Sequence, residues 1–342
     1  MALILAGDIG GTKTLLSLFE AEHDAPTEPC LEQRFASGDW PDLATMVNRF
    51  LAEAASAGHG HPRAACFAVA GPVRGGRAQL TNLPWQLEEA ELARACGLAA
   101  VALENDFAVL IHGLPHLRAN QQWGLWSGPV DSEAPQLVLG AGTGLGVAIG
   151  VPSPLGLQAM ASEASHAEFA PRDAREWQLK QWLMVDLGLE RLSIERVVSG
   201  TGLGHVARCL LDTNDMAGHH PLQEPARRWL QPGSAGEDLP AQVATLAASG
   251  DPLCREALDL WLGAYGSVTG DLALATLARG GIFLAGGTAA KLTRALASEA
   301  FRGPMLNKGR LSAVLESIPV TAITDPSVGS FSAACRARTL LA

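Results

Sequence analysis

The 342-residue sequence lacks paired cysteines, a basic excess and any long apolar run. Its six cysteines, at 30, 66, 96, 209, 254 and 335, stand singly, with no C-x-x-C pair and no Cys/His group at zinc spacing. That excludes a disulfide scaffold and a sequence-local zinc module. Cys66, Cys96 and Cys335 lie in apolar surroundings, so buried reduced thiols are expected. The formal net charge is −10. No broad basic field is available, so neither nucleic acid nor an anionic membrane is an expected partner. No apolar run approaches the roughly 20 residues that span a bilayer. No basic segment followed by an apolar one opens the chain, which gives no sign of a signal peptide. The expectation is a cytoplasmic protein. With 48% hydrophobic and 18% charged residues the chain reads as globular. Its length allows two domains.

Strands and helices alternate along the chain, which points to α/β architecture. Residues 2–7 and 14–19 read as strands, and a polar, proline-containing stretch spans 21–34. Residues 41–57 have helical spacing of apolar side chains, with proline in a first turn. A buried strand is expected at 64–71, a helix at 88–97 and a strand at 101–106. After about residue 107 the pattern restarts. Residues 136–150 read as strand, glycine turn, strand. Helices are expected at 173–187, 195–211, 239–249 and 252–279. Residues 280–292 read as strand, turn and helix, 319–324 as a strand and 326–341 as a terminal helix. The units 2–19 and 136–150 echo each other, and two such hairpins could face one another across a cleft.

Six motifs carry candidate chemistry. GDIGGTKT, Gly7 to Thr14, places Gly10 and Gly11 where backbone can approach a ligand and successive N–H groups can form an anion-holding concavity. Asp8 at the strand end suits Mg²⁺ held through water. A plain hairpin turn explains the same residues. The P-loop pattern is absent. GAGTGLG, 140–146, is followed by more strand rather than a helix, which disfavours a dinucleotide fingerprint and favours a second phosphate-holding turn. In ALENDFAVL, Asp106 at a strand end is a candidate general base, or else a turn or helix-capping residue. In SEASHAEFAP, Glu163 and His166 suit sugar hydroxyls; zinc and a surface charge cluster are the competing readings. ERVVSGTGL carries Glu195 before a Ser-Gly-Thr-Gly turn, which an ordinary helix or strand end would also explain. FLAGGTAAKL places Gly286 and Gly287 after a strand, where an adenine ring can lie close to backbone.

The order of the motifs is more telling than any one. GDIGGTKT, FAVAGPV, TNLPW, END, GAGTGLGVA, E-x-x-H-x-E-F-A-P, ERVVSG, GG-x-F-L-A-G-G and KGR together resemble the bacterial glucokinases of the ATP-dependent hexokinase group, from residue 4 to about 336. The resemblance implies a two-lobed actin-like ATPase (ribonuclease-H-like) α/β fold with a cleft between a small and a large domain. Residues 1–108 with the C-terminal helix 325–342 would form the small domain, and 109–324 the large one. It also implies phosphorylation of D-glucose to glucose 6-phosphate by Mg-ATP in a cytoplasmic homodimer. Asp106 would be the catalytic base. Asn105, Asp106, Glu163, His166 and Glu195 would bind the sugar. Gly7, Asp8, Ile9, Gly10, Gly11 and Thr12 would form the first phosphate loop, and Gly142, Thr143 and Gly144 the core of the second. Gly286 and Gly287 would lie by the adenosine, and Asp8 would help place Mg²⁺.

Three departures stand out. The family's sugar loop usually reads G-E-G-G-H, and here it is Ser162-Glu163-Ala164-Ser165-His166. That puts sugar selectivity in question and keeps a kinase for another hexose or an amino sugar as the alternative. Lys13 replaces a frequent Asn. The 209–240 segment looks longer than usual and has no assigned role. The C-x-C-G-x-x-G-C motif of the related repressor and kinase branch is missing. A non-catalytic sugar sensor fits less well, given the acidic charge and Asp106. A chaperone-like ATPase acting on protein would leave the Glu163, His166 and Glu195 set without purpose.

Overall fold

The computed structural model describes residues 2–21, 26, 28–80, 83–154, 156–214, 220–229, 231 and 238–341. Thr81 and Asn82 of TNLPW, and residues 215–219, 230 and 232–237 of the 209–240 segment, lie outside them. The chain divides into two compact units. The first comprises Met1–Gln122, Ala148–Ala161 and Asp325–Ala342, and the second Trp123–Val147 and Ser162–Thr324.

The first unit is built on a five-stranded sheet. Its order is Pro29–Ala36, Lys13–Glu20, Leu3–Ile9, Ala64–Val69, Ala100–Asn105. Leu3–Ile9 runs antiparallel to Lys13–Glu20 and parallel to Ala64–Val69, which is parallel to Ala100–Asn105. The AACFAV run is buried at every residue, as a central strand covered on both faces must be. Helix Leu43–Ser56 supplies part of that cover. Leu43, Met46, Val47, Phe50, Leu51 and Ala54 recur at helical spacing and pack with Leu5, Leu16 and Phe67. Asp42 caps the helix by accepting from Thr45 N at 2.7 Å. The C-terminal helix Val328–Thr339 packs on Leu3–Ile9 and Ala64–Val69. Within 21–34, which reads as a polar stretch in the sequence, the structure has strand Pro29–Ala36. It is an edge strand in which exposed residues alternate with partly buried ones and with the buried Phe35, so polar side chains fit its open face, and Pro29 takes the first position, where no ladder donor is needed.

In the second unit, Gln136–Ala141, Ile282–Ala285 and Val320–Ile323 are parallel neighbours. The 25-residue helix Pro252–Thr276 carries Trp261 and Tyr265, both fully buried. Their rings meet edge-on at 5.4 Å, and Tyr265 meets Phe301 likewise at 5.3 Å. Close approach of helix Glu299–Leu306 depends on Gly266 and Gly270, where a Cβ would strike the carbonyl oxygens of Phe301 and Met305. Over 195–211, which reads as one helix, there is a 3₁₀ turn at Ile194–Arg196 and then helix Gly200–Thr213. Ser199 separates them as an N-cap, accepting from Gly202 N at 2.9 Å. Among the described residues no helix is long and apolar enough to cross a membrane.

Candidate active site

Parallel strands end on the same side of a sheet, and ligands of α/β proteins gather there. In the first unit Asp8 pairs across with Ala68, and Val69 with Asn105. Asp8 and the Asn105-Asp106 pair therefore sit at the carboxyl ends of two parallel strands with Ala64–Val69 between them. Asn105 holds the turn that follows. Its Oδ1 accepts from Phe107 N at 3.0 Å and Ala108 N at 3.1 Å. Its Nδ2 donates to Gly71 O at 3.1 Å and to Asp106 Oδ1 at 3.0 Å. Asp106 N donates to Val69 O at 3.0 Å. Asp106 Oδ1 also accepts from Phe107 N at 3.1 Å. Oδ2 makes no hydrogen bond among the described residues, so it can face a ligand. Burial raises the Asp106 carboxyl to about 6, and the nearby Asp8 charge adds to the rise. Hydrogen bonds from Phe107 and Asn105 pull the other way without cancelling it. Such a group changes protonation close to neutral pH, where a general base works best.

Asp8 is open to solvent, yet the protein crowded around it lifts its carboxyl above the usual range by desolvation. No side chain among the described residues hydrogen-bonds its carboxylate. A Cβ on Gly329, in the first turn of the C-terminal helix, would lie 3.5 Å from Asp8 Oδ2. A desolvated, unpartnered carboxylate at a strand end suits a hydrated Mg²⁺.

The Gly10–Thr12 turn is fixed from behind. Ser37, fully buried, donates through Oγ to Gly10 O at 2.8 Å and through N to Thr12 O at 3.0 Å. Thr14 Oγ1 lies 3.0 Å from Ser37 Oγ and is left as the donor of that pair. Gly10 is required by close approach, since a Cβ there would lie 2.8 Å from Lys13 O. The N–H groups of Gly11 and Thr12 take no hydrogen bond among the described residues, which leaves donors for an anion. Lys13 is exposed.

The second unit repeats this logic. The carbonyls of its glycine turn are all tied back: Thr288 Oγ1 donates to Ala141 O at 2.6 Å, Gly200 N to Gly142 O at 2.7 Å and Thr201 Oγ1 to Thr143 O at 2.8 Å. Gly142 N is used by Gly144 O at 2.8 Å, and Leu145 N donates to Glu195 Oε2 at 3.0 Å. Thr143 N and Gly144 N remain without partners among the described residues. A Cβ on Gly144 would strike Glu195 Oε2. Gly286 takes a left-handed φ of +83° against Ala141, while a Cβ on Gly287 would meet nothing within 4 Å.

Glu163 precedes a 3₁₀ turn at Ala164–His166. Glu163 Oε2 and His166 Nε2 are 3.7 Å apart and both side chains are well exposed. The turn is bonded to the one carrying Glu195, through Ile194 N to Ala167 O at 2.9 Å. Glu163, His166 and Glu195 thus belong to one cluster of turns in this unit. The lack of glycine at 162, 164 and 165 costs no strain, because no non-glycine residue there takes positive φ. Glu168, in contrast, is spent on structure. It pairs with Lys180 at 2.5 Å and Arg191 at 3.3 Å, and the Lys180 hydrogen bond leads the causes that hold its carboxyl low.

The hydroxyls of Ser37, Thr201 and Thr288, which brace the two turns, are not singled out by the motifs. For Thr201 and Thr288 a signal exists, a threonine after each glycine turn; for Ser37 there is none. One further group, His220, Asp251 and Cys254, brings possible metal-ligand atoms within 4.8 Å. Leu222 N donates to His220 Nδ1 at 3.1 Å, which puts the ring proton on Nε2, facing Asp251 at 3.2 Å. That is a hydrogen-bonded brace rather than a metal site.

The family model described as Glucokinase matches residues 5–340. A curated glucokinase of Trichormus variabilis is 39% identical over 343 residues, covering 99% of this chain and 100% of that protein. The crystal structure of a glucokinase from an Antarctic psychrotroph superposes with a TM-score of 0.83 at 28% identity, over 99% of both chains. A ROK family glucokinase from Streptomyces griseus, solved in complex with glucose and AMPPNP, superposes at 0.59 with 20% identity, over 99% of this chain and 100% of that one. At that identity the likeness carries the fold alone, which is that of the actin-like sugar kinases.

Proposed function

This chain belongs to the glucokinase family and phosphorylates glucose with ATP, and we propose that Asp106 is the base that takes the proton from the sugar's 6-hydroxyl. The observation that carries this reading is the free Oδ2 of a carboxyl raised to about 6 at a strand end. Asn105 would keep that carboxylate aimed while holding the turn behind it. Asn105, Glu163, His166 and Glu195 would bind the sugar hydroxyls, as bidentate acceptors and as donors. In this reading residues 1–108 with 325–342 form the domain carrying the base and 109–324 the domain carrying Glu163, His166 and Glu195, although 109–122 and 148–161 fall in the first compact unit.

Phosphoryl transfer needs positioning and charge stabilisation more than covalent chemistry. The turns at Gly7–Thr12 and Gly142–Gly144 would hold the triphosphate by unpartnered backbone N–H groups, with Gly286 and Gly287 beside the adenosine. Asp8 would hold Mg²⁺ through water, and the ion, when bound, neutralises phosphate charge. We also propose a cytoplasmic homodimer that feeds glucose 6-phosphate to glycolysis; the six free cysteines suit a reducing compartment.

A hexose and amino-sugar panel coupled to ADP release tests the substrate. Glucose should give the highest kcat/KM, and an equal value for mannose, fructose or glucosamine would overturn its primacy. Glu163→Ala is expected to raise the KM for glucose about tenfold or more, since hydrogen bonds to charged groups contribute about 1.5–3 kcal/mol, and His166→Ala about fivefold, for the loss of a hydrogen bond of about 1 kcal/mol. An unchanged KM would remove that residue from the site. Ser37→Ala is expected to raise the KM for ATP about fivefold with kcat little changed. It removes the hydrogen bond to Gly10 O, about 1 kcal/mol, that holds the first turn, together with the bond that Thr14 Oγ1 donates to Ser37. Normal ATP kinetics would show that the turn keeps its shape without it.

A further inference from the structure

Glu195 faces two ways within one unit. Its turn is bonded to the turn that carries Glu163 and His166. Its carboxylate reaches the exit of the glycine hairpin, where Oε2 accepts from Leu145 N at 3.0 Å. Gly144 makes room for that carboxylate, since a Cβ there would strike Oε2. Oε1 takes no hydrogen bond among the described residues. A negative group thus occupies one backbone donor of a loop whose next two donors, Thr143 N and Gly144 N, are unused. Next to a triphosphate this charge is repulsive, and the occupied N–H is unavailable.

We propose that Glu195 couples the two substrates. While its carboxylate holds the Leu145 N–H, it sets negative charge against the phosphate hairpin. Sugar hydroxyls draw the carboxylate away and release that N–H to the triphosphate. The inference rests on reading Gly142–Gly144 as a phosphate loop and Glu195 as a sugar ligand. A ligand shifts an equilibrium only through contacts that differ between the two states, and the Leu145 bond is that contact. Reciprocity requires ATP to strengthen glucose binding by the same factor.

Calorimetry with a non-hydrolysable ATP analogue and Mg²⁺, with and without saturating glucose, measures the coupling. Wild-type protein is expected to bind the analogue about tenfold more tightly with glucose, the factor that roughly 1.4 kcal/mol supplies. Glu195→Ala is expected to bind it about as tightly without glucose as wild type does with it, bringing the ratio close to one. Glu195→Gln keeps a neutral acceptor for Leu145 N, a weaker bond than a charged one gives, so its ratio should fall between. A wild-type ratio of one, or the wild-type ratio retained in both variants, overturns the coupling. If glucose affinity drops in Glu195→Ala while the ratio persists, only the coupling fails. If glucose affinity is unchanged, the sugar reading fails and the coupling with it.

Discussion

Asp106→Asn is expected to lower kcat by about 10²–10⁴-fold while glucose still binds with an affinity close to that of wild type. The substitution separates the two readings of this residue. As a capping group, Asp106 offers Oδ1 to Phe107 N, and an Asn amide oxygen does the same at little cost. As a base it must accept a proton, which an amide cannot do. Asp106→Ala should be as slow, with some added loss of stability from the vacated bonds to Phe107 N and Asn105 Nδ2. Steady-state turnover coupled to ADP release, beside calorimetry with glucose, reads both quantities. Turnover within a few-fold of wild type in Asp106→Asn would leave Asp106 as a cap.

Arg172→Ala is expected to destabilise the second unit by about 3–5 kcal/mol. Arg172 follows Pro171, the last residue of the E-F-A-P motif, and precedes helix Ala174–Asp186. Its backbone N donates to Glu176 Oε2 at 2.7 Å, and its Nε to Oε1 at 2.8 Å, with Nη2 reinforcing the second contact. Glu176 is fully buried. Removing the guanidinium strands that carboxylate away from water with a single backbone donor, Arg172 N. Replacing both partners, as in Arg172→Met with Glu176→Leu, should cost much less, because no unpaired charge is left inside. Urea unfolding of the single and double variants checks the asymmetry. A single variant that loses less than about 1 kcal/mol would mean that water reaches Glu176.

The hairpin GDIGGTKT was legible because two apolar runs flank a glycine pair, and its structure is a strand, a turn and a strand. The reason for Gly10 was less visible. It answers to the nearness of Lys13 O rather than to a left-handed backbone. Ser37 holds the turn from another strand's end, 27 residues away, and a lone serine carries no local sign of such a role. Strand Pro29–Ala36 hid behind its polar composition, as an edge strand with an open face tends to do. The SEASH loop looked compromised by missing glycines, but a 3₁₀ turn needs none. Glu195 was legible as a polar residue before a turn, while its bond to Leu145 N, 50 residues distant, depends on a tertiary approach that spacing does not encode.

The pH dependence of kcat/KM for glucose tests the central claim most directly. A carboxyl raised to about 6 is protonated below that pH and cannot accept the hydroxyl proton. Wild-type kcat/KM should therefore fall about tenfold per pH unit below an apparent pKa of about 6, and the residual activity of Asp106→Asn should lose that limb. A wild-type profile flat down to pH 4.5, or the same acid limb persisting in Asp106→Asn, would contradict the assignment of Asp106 as the base.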